Sequence, residues 1–125
     1  MVKQTFSVGG YWEVVIFWNL DYHFFDDVEL ELLMIGFTKA SIEEVRKSME
    51  SGEAKAVTCS HQHTSVVLFN KHESKTDYIN SIVHEAEHIK QAMLRAYDVE
   101  DIGEAPAYTI GYLVGKMYEV FRTFI

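Results

Sequence analysis

Residues 74–97 read SKTDYINSIVHEAEHIKQAMLRAY, and this stretch decides the fold. Apolar side chains recur along it at helical spacing, at Tyr78, Ile79, Ile82, Val83, Ala86, Ile89, Met93 and Ala96. That period predicts an amphipathic helix from about Lys75 to Tyr97. Ser74 and Asp77 form a capping box, which is typical of a helix start.

Inside this helix, His84 and His88 flank Glu85 in an H-E-x-x-H pattern. Positions i and i+4 share a helix face, so both imidazoles can bind one zinc ion at about 2.0–2.1 Å. Glu85 projects beside them, where it can accept a proton from a metal-bound water. At about 100° per residue, the histidines lie about 160° from the apolar stripe. The pattern therefore predicts a zinc site with Glu85 as general base; the alternative is an exposed helix of mixed charge.

A catalytic zinc usually has three protein ligands and one open position. Glu104, at the start of the next predicted helix, is the best candidate for the third ligand. An acidic residue is also expected there from the helix dipole alone, or as part of a capping box with Asp101. If Glu104 is only a cap, the ligand is to be sought at one of four other residues: Asp101, His61, His63 or His72.

The predicted C-terminal helix carries one further catalytic candidate. Tyr108 lies four residues after Glu104, on the same face, and can donate a hydrogen bond to an oxyanion. The alternative is a core tyrosine with a satisfied hydroxyl. Gly111 and Gly115 are small, and we expect them to allow close packing against the motif helix.

The remaining sequence predicts a strand, two helices and two strands before the motif helix. The strands are Tyr11 to Leu20, Lys55 to Ser60 and Thr64 to Asn70; the helices are Phe25 to Ile35 and Ser41 to Ser51. Pro106 fixes the start of the last helix near Gly103, because proline is tolerated only in a first turn. This order predicts one α+β domain over residues 1–125, with a small mixed sheet covered by helices.

The composition of the chain limits the classes of partner that we expect it to bind. The net charge of −8 argues against nucleic acid and against an anionic membrane. The apolar run from Val14 to Trp18 is too short to span a bilayer, and the N-terminus lacks the layout of a signal peptide. Cys59 is the only cysteine, so no internal disulfide can form. We expect a cytoplasmic protein, and the sequence leaves its oligomeric state open.

The motif, with Gly103-Glu104-x-x-Ala107-Tyr108 and Gly111-Tyr112-Leu113 after it, resembles small phage and gut-bacterial zinc peptidases of the gluzincin type. The resemblance covers roughly residues 55–115 and implies a minimal zincin-like domain, its sheet packed against the motif helix and a C-terminal helix. It implies that His84, His88 and Glu104 bind Zn²⁺ and that Glu85 acts as base. It also implies that an extended peptide pairs with the strand formed by Ser65, Val66, Val67, Leu68 and Phe69.

Three hypotheses about function remain open on the sequence, and one of them is a purely structural helical module without a metal. The first is a zinc metallopeptidase, in which a zinc-activated water hydrolyses a peptide or protein substrate with Glu85 as base. The second is a zinc-binding or protein-interaction domain that keeps the site geometry without catalysis.

Overall fold

The chain mixes helices and strands, as an α+β fold requires. The structure, a computed structural model, describes residues 1–124. Its elements are β1 (Val2–Val8), β2 (Trp12–Trp18), a 3-10 turn (Tyr22–Phe24), α1 (Phe25–Met34), α2 (Lys39–Glu50), β3 (Ala56–His61), β4 (Thr64–Phe69), α3 (Lys75–Ala96) and α4 (Glu104–Phe121). They fall into two compact units, Met1–His72 and Glu73–Ile125. The predicted α+β class is confirmed.

The first unit contains one four-stranded mixed sheet in the order β1-β2-β4-β3. β1 pairs antiparallel with β2, β2 parallel with β4, and β4 antiparallel with β3. The sequence prediction missed β1. Its signal was Gly9-Gly10, a turn pair with φ of 61° and 76° that joins β1 to β2 as a hairpin.

Two helices lie in the connection between the parallel strands β2 and β4. α1 ends within one residue of the predicted Ile35, and Gly36, at φ 101°, follows its C-cap. α2 begins earlier than Ser41, because the Thr38 hydroxyl caps it by accepting a hydrogen bond from the Ser41 backbone N–H. The helices and sheet share one apolar cluster that includes Phe17, Leu32, Met49 and Leu68. Burial of such side chains is the main force that stabilises this unit.

The second unit contains α3 and α4. The Ser74 hydroxyl caps α3 by accepting from the Asp77 backbone N–H, as the sequence predicted. α4 begins after Gly103, which has φ 86°, and Pro106 lies in its first turn. Of the helices within residues 1–124, none combines the length and apolar character needed to cross a membrane.

The buried face of α3 is narrower than its apolar pattern suggested. Its buried residues are Tyr78, Ile82, Glu85, Ala86, Ile89, Lys90 and Met93. Ile79 and Val83 stay 40% and 48% exposed. The expected close packing at Gly111 and Gly115 is wrong, because a Cβ built at either would meet no described atom within 4 Å other than its chain neighbours and the nearby backbone of α4 itself.

Candidate metal centre

Two imidazoles meet on the exposed face of α3. The Nε2 atoms of His84 and His88 lie 3.1 Å apart, and their rings are nearly perpendicular at 81°. Two nitrogens bound to one tetrahedral zinc ion would lie about 3.3–3.4 Å apart, given Zn–N bonds of about 2.0–2.1 Å. The separation also suits an N–H···N hydrogen bond between the rings. The spacing of the two nitrogens is therefore close to that of two zinc ligands and also to that of a hydrogen-bonded pair.

Glu85 lies beside this pair but faces the interior. Its side chain is 5% exposed, and its Oε2 lies 3.9 Å from Nε2 of His84. That distance is too long for a hydrogen bond, so the carboxylate adjoins the imidazole without bonding to it. By contrast, the His84 side chain is 70% exposed. The helix thus places a sheltered carboxylate next to a solvent-accessible histidine pair.

Glu104 and Tyr108 both lie in α4, where the sequence placed them. Glu104 is exposed and is the first residue of the helix, in the turn where the dipole favours a negative charge. Tyr108 is 74% exposed, so its alternative as a core tyrosine is wrong. Across residues 1–124, no group of three His, Cys, Asp or Glu side chains is arranged to hold a metal ion. The structure therefore does not bring Glu104 together with the histidine pair as a three-ligand group.

Asp101 has a different partner from those predicted. Its Oδ1 lies 3.0 Å from Nζ of Lys90, which also contacts Glu87 at 2.9 Å. The hydrogen bond with Glu87, above all, raises the pKa of Lys90. Asp101 does not cap α4, whose N-cap residue is Gly103. The ion pair fastens the loop before α4 to α3. The sequence signal for Lys90 was its i, i+3 spacing from Glu87.

The other candidate histidines lie in the first unit. Nδ1 of His61 lies 2.6 Å from the Ile35 carbonyl oxygen. The His63 ring stacks on Trp12 at a centroid distance of 5.6 Å. His72 is 8% exposed, and its Nδ1 lies 2.6 Å from the Asn70 carbonyl oxygen. Local contacts thus account for all three residues.

The strand from Ser65 to Phe69 is the interior strand β4. It pairs with β2 along one edge and with β3 along the other. Its residues are each fully buried: Ser65, Val66, Val67, Leu68 and Phe69. The Ser65 hydroxyl accepts a hydrogen bond from Trp12 Nε1 at 3.0 Å. This arrangement leaves no backbone edge of β4 for a peptide to pair with.

Comparison with known proteins does not assign the chain to a family. It matches no family model, no curated protein and no solved structure. Without a relative, the gluzincin resemblance would have to rest on a complete metal site, and residues 1–124 contain no three-residue group of that kind. The identification of the chain with gluzincin-type peptidases is therefore wrong. The H-E-x-x-H pattern itself stands as a local feature of α3.

Proposed function

We propose that this protein hydrolyses peptide bonds with the help of one zinc ion bound at His84 and His88. The observation that carries the proposal is the 3.1 Å separation of the two Nε2 atoms. It is within about 0.3 Å of the spacing that two nitrogen ligands of one tetrahedral zinc ion adopt. The choice of peptide bonds comes from the H-E-x-x-H pattern, which is typical of metalloproteases.

The roles proposed for His84, His88 and Glu85 follow from how far each side chain is buried. His84 and His88 are exposed, so both can present a neutral nitrogen to an ion arriving from solvent. Bound zinc supplies a water of lowered pKa and a positive charge beside the substrate carbonyl. Glu85 is the group that accepts the proton of the attacking water and returns it to the leaving amine. Its near-complete burial supports this role, because a sheltered carboxylate keeps one position beside His84.

A second function, zinc binding without catalysis, is favoured by a different observation. Only two of the three protein ligands usual in a catalytic site come together within the described chain. A two-histidine site would hold zinc more weakly and would use water, or a group from a partner, for its remaining positions. The same residues then make a docking point and not a reaction centre.

Zinc binding is tested first. We expect the wild-type protein, purified without chelators, to contain about one zinc per chain by mass spectrometry of the metals. Because Zn²⁺ binding stabilises only the folded state, added zinc should also raise the unfolding temperature. A protein that takes up no zinc and shows no such shift would overturn both functions.

Hydrolysis is tested on a defined mixture of peptides, read by mass spectrometry of the products. The wild type with zinc should cut a subset of them. Glu85→Gln keeps the shape of the side chain but cannot take a proton, so it should retain zinc and lose cleavage by about 10²–10⁴-fold. Zinc binding with no cleavage by the wild type would leave the non-catalytic function. Loss of zinc in Glu85→Gln would show that Glu85 is a ligand and not a base.

The proposal includes a cytoplasmic location. Cys59 is 6% exposed and makes no disulfide, which suits a reducing compartment. The peptide substrate is the only partner it requires; nucleic acid and membranes have no part in it.

A further inference from the structure

An open depression lies at the C-terminal end of α3. Its volume is about 350 Å³, and its lining is formed by Gln91, Leu94, Arg95, Val99 and Asp101. All five residues belong to the second unit, in α3 or in the loop that follows it. Three of the five, Gln91, Leu94 and Arg95, lie on the same helix as the histidine pair.

The depression and the histidine pair share one face of α3. At about 100° per residue, the side chains of His84, His88, Gln91 and Arg95 leave the helix within an arc of about 60°. Arg95 follows His88 by two turns, or about 10 Å along the axis. An extended chain rises about 3.3 Å per residue. About three residues of a bound peptide would therefore span the distance between His88 and Arg95.

The depression contains one guanidinium, that of Arg95, which can bind an anion. None of the ion pairs formed within residues 1–124 includes Arg95, whose side chain is exposed. The carboxylate of Asp101, the other charged lining group, is already paired with Lys90. The guanidinium of Arg95 is therefore available, and guanidinium binds carboxylates through two parallel hydrogen bonds.

The remaining lining suits an apolar side chain. Leu94 is partly buried and Val99 is 47% exposed, so both present apolar surface next to Arg95. A ligand that satisfies both features carries a carboxylate directly beside an apolar group. The C-terminal residue of a peptide has this chemistry, whereas an acidic side chain has the charge without the apolar group.

We infer that this depression binds the C-terminal residue of a peptide, with the carboxylate on Arg95 and an apolar side chain against Leu94 and Val99. The inference rests on the proposed function for the position of the reacting bond, which would lie at the histidine pair. It makes Arg95 a specificity-determining residue. The preferred substrates end about three residues after the bond that is cut.

The test uses acetyl-Ala-Ala-Ala-Leu with a free carboxylate and the same peptide as its carboxamide. Binding is followed by NMR through the backbone amides of Gln91, Leu94 and Val99. We expect the wild type to bind the free acid at least tenfold more tightly than the carboxamide. In Arg95→Gln the two forms should bind equally, and Arg95→Lys should restore part of the difference. Arg122→Gln, the same change outside the depression, should behave as wild type.

Each contrary result overturns the inference. Equal binding of acid and amide by the wild type, an unchanged preference in Arg95→Gln, or no shift at the lining amides would exclude a carboxylate site. Equally tight binding of acetyl-Ala-Ala-Ala-Asp amide would exclude recognition of the C-terminal residue.

The titration is repeated after zinc is removed with a chelator. A preference that survives belongs to Arg95 and stands even if the protein never cuts a peptide. A preference that disappears belongs to the metal, and Arg95 then has no such role. Failure of the inference is thus separate from failure of the proposed function.

Discussion

The chain contains two pairs of closely spaced histidines, and the fold treats them differently. His84 and His88 lie four residues apart on a helix, and their Nε2 atoms meet at 3.1 Å. His61 and His63 lie two residues apart at a hairpin, and their rings go to different neighbours, the Ile35 carbonyl and the Trp12 ring. Whether two histidines that are close in sequence also meet in space therefore depends on the backbone conformation between them.

The backbone explains why the second pair separates. His61 is the last residue of β3, whereas His63 has φ 58° in the two-residue turn with Gln62. The turn rotates His63 away from the strand on which an i, i+2 pair would share a side. On α3 the i, i+4 relation is fixed by the helix itself.

The largest effect should come from breaking the helical pair. His84→Ala removes one of two converging nitrogens, so we expect stoichiometric zinc binding to be lost. His63→Ala is the matched control and should keep the wild-type zinc content. Metal analysis after equilibrium dialysis measures both variants. Full zinc occupancy in His84→Ala would show that the close approach of the two rings is a hydrogen bond without a metal function.

A smaller effect should follow from removing the predicted third ligand. Glu104→Gln retains the size of the side chain and removes its charge. Because the structure does not bring Glu104 together with the histidine pair, we expect the zinc affinity to stay within about tenfold of wild type. Titration against a zinc-sensitive dye, compared with Glu119→Gln on the same helix, gives the measurement. A fall larger than the roughly 10–100-fold typical of an indirect change would show that Glu104 is a zinc ligand and not only a charge that favours the helix N-terminus.

Sequence patterns predicted the helices of this molecule better than its sheet. The start of α3 followed from Ser74 and Asp77, and that of α4 from Pro106, because caps and prolines act locally. The period of α3 also placed its histidines on the exposed face, opposite the buried one. β1 was missed because an edge strand buries little, and only its last residue, Val8, is buried.

The candidate site was predictable only as far as one helix extends. The relation of His84, Glu85 and His88 is a property of α3 alone. The order of the strands is not a local property, and this order placed β4 in the middle of the sheet, away from any free edge. The partner of Asp101 depended in the same way on how the loop before α4 folds back onto Lys90.

The smallest effect concerns the contact between Lys90 and Asp101. Removing this contact tests the role of Lys90 separately from that of the nearby histidines. Lys90→Met keeps an apolar stem and removes the charge that holds Glu87 and Asp101. Because both carboxylates are about half exposed, we expect a loss of only about 1 kcal/mol in the free energy of unfolding. Urea unfolding at neutral pH measures it, with the exposed Lys71→Met as control.

The stabilisation that Lys90 contributes should also depend on pH, in a direction set by the shift of its pKa. The pKa of Lys90 is raised on folding, chiefly by its hydrogen bond with Glu87, which outweighs the effect of burial. The stabilisation is therefore complete below the unfolded-state pKa of about 10.4 and is lost as pH rises through the higher folded-state pKa. The difference in stability between wild type and Lys90→Met should stay constant between pH 7 and 9 and shrink above that window. A difference no larger than that of Lys71→Met at pH 7 would mean that the loop before α4 is held by other contacts.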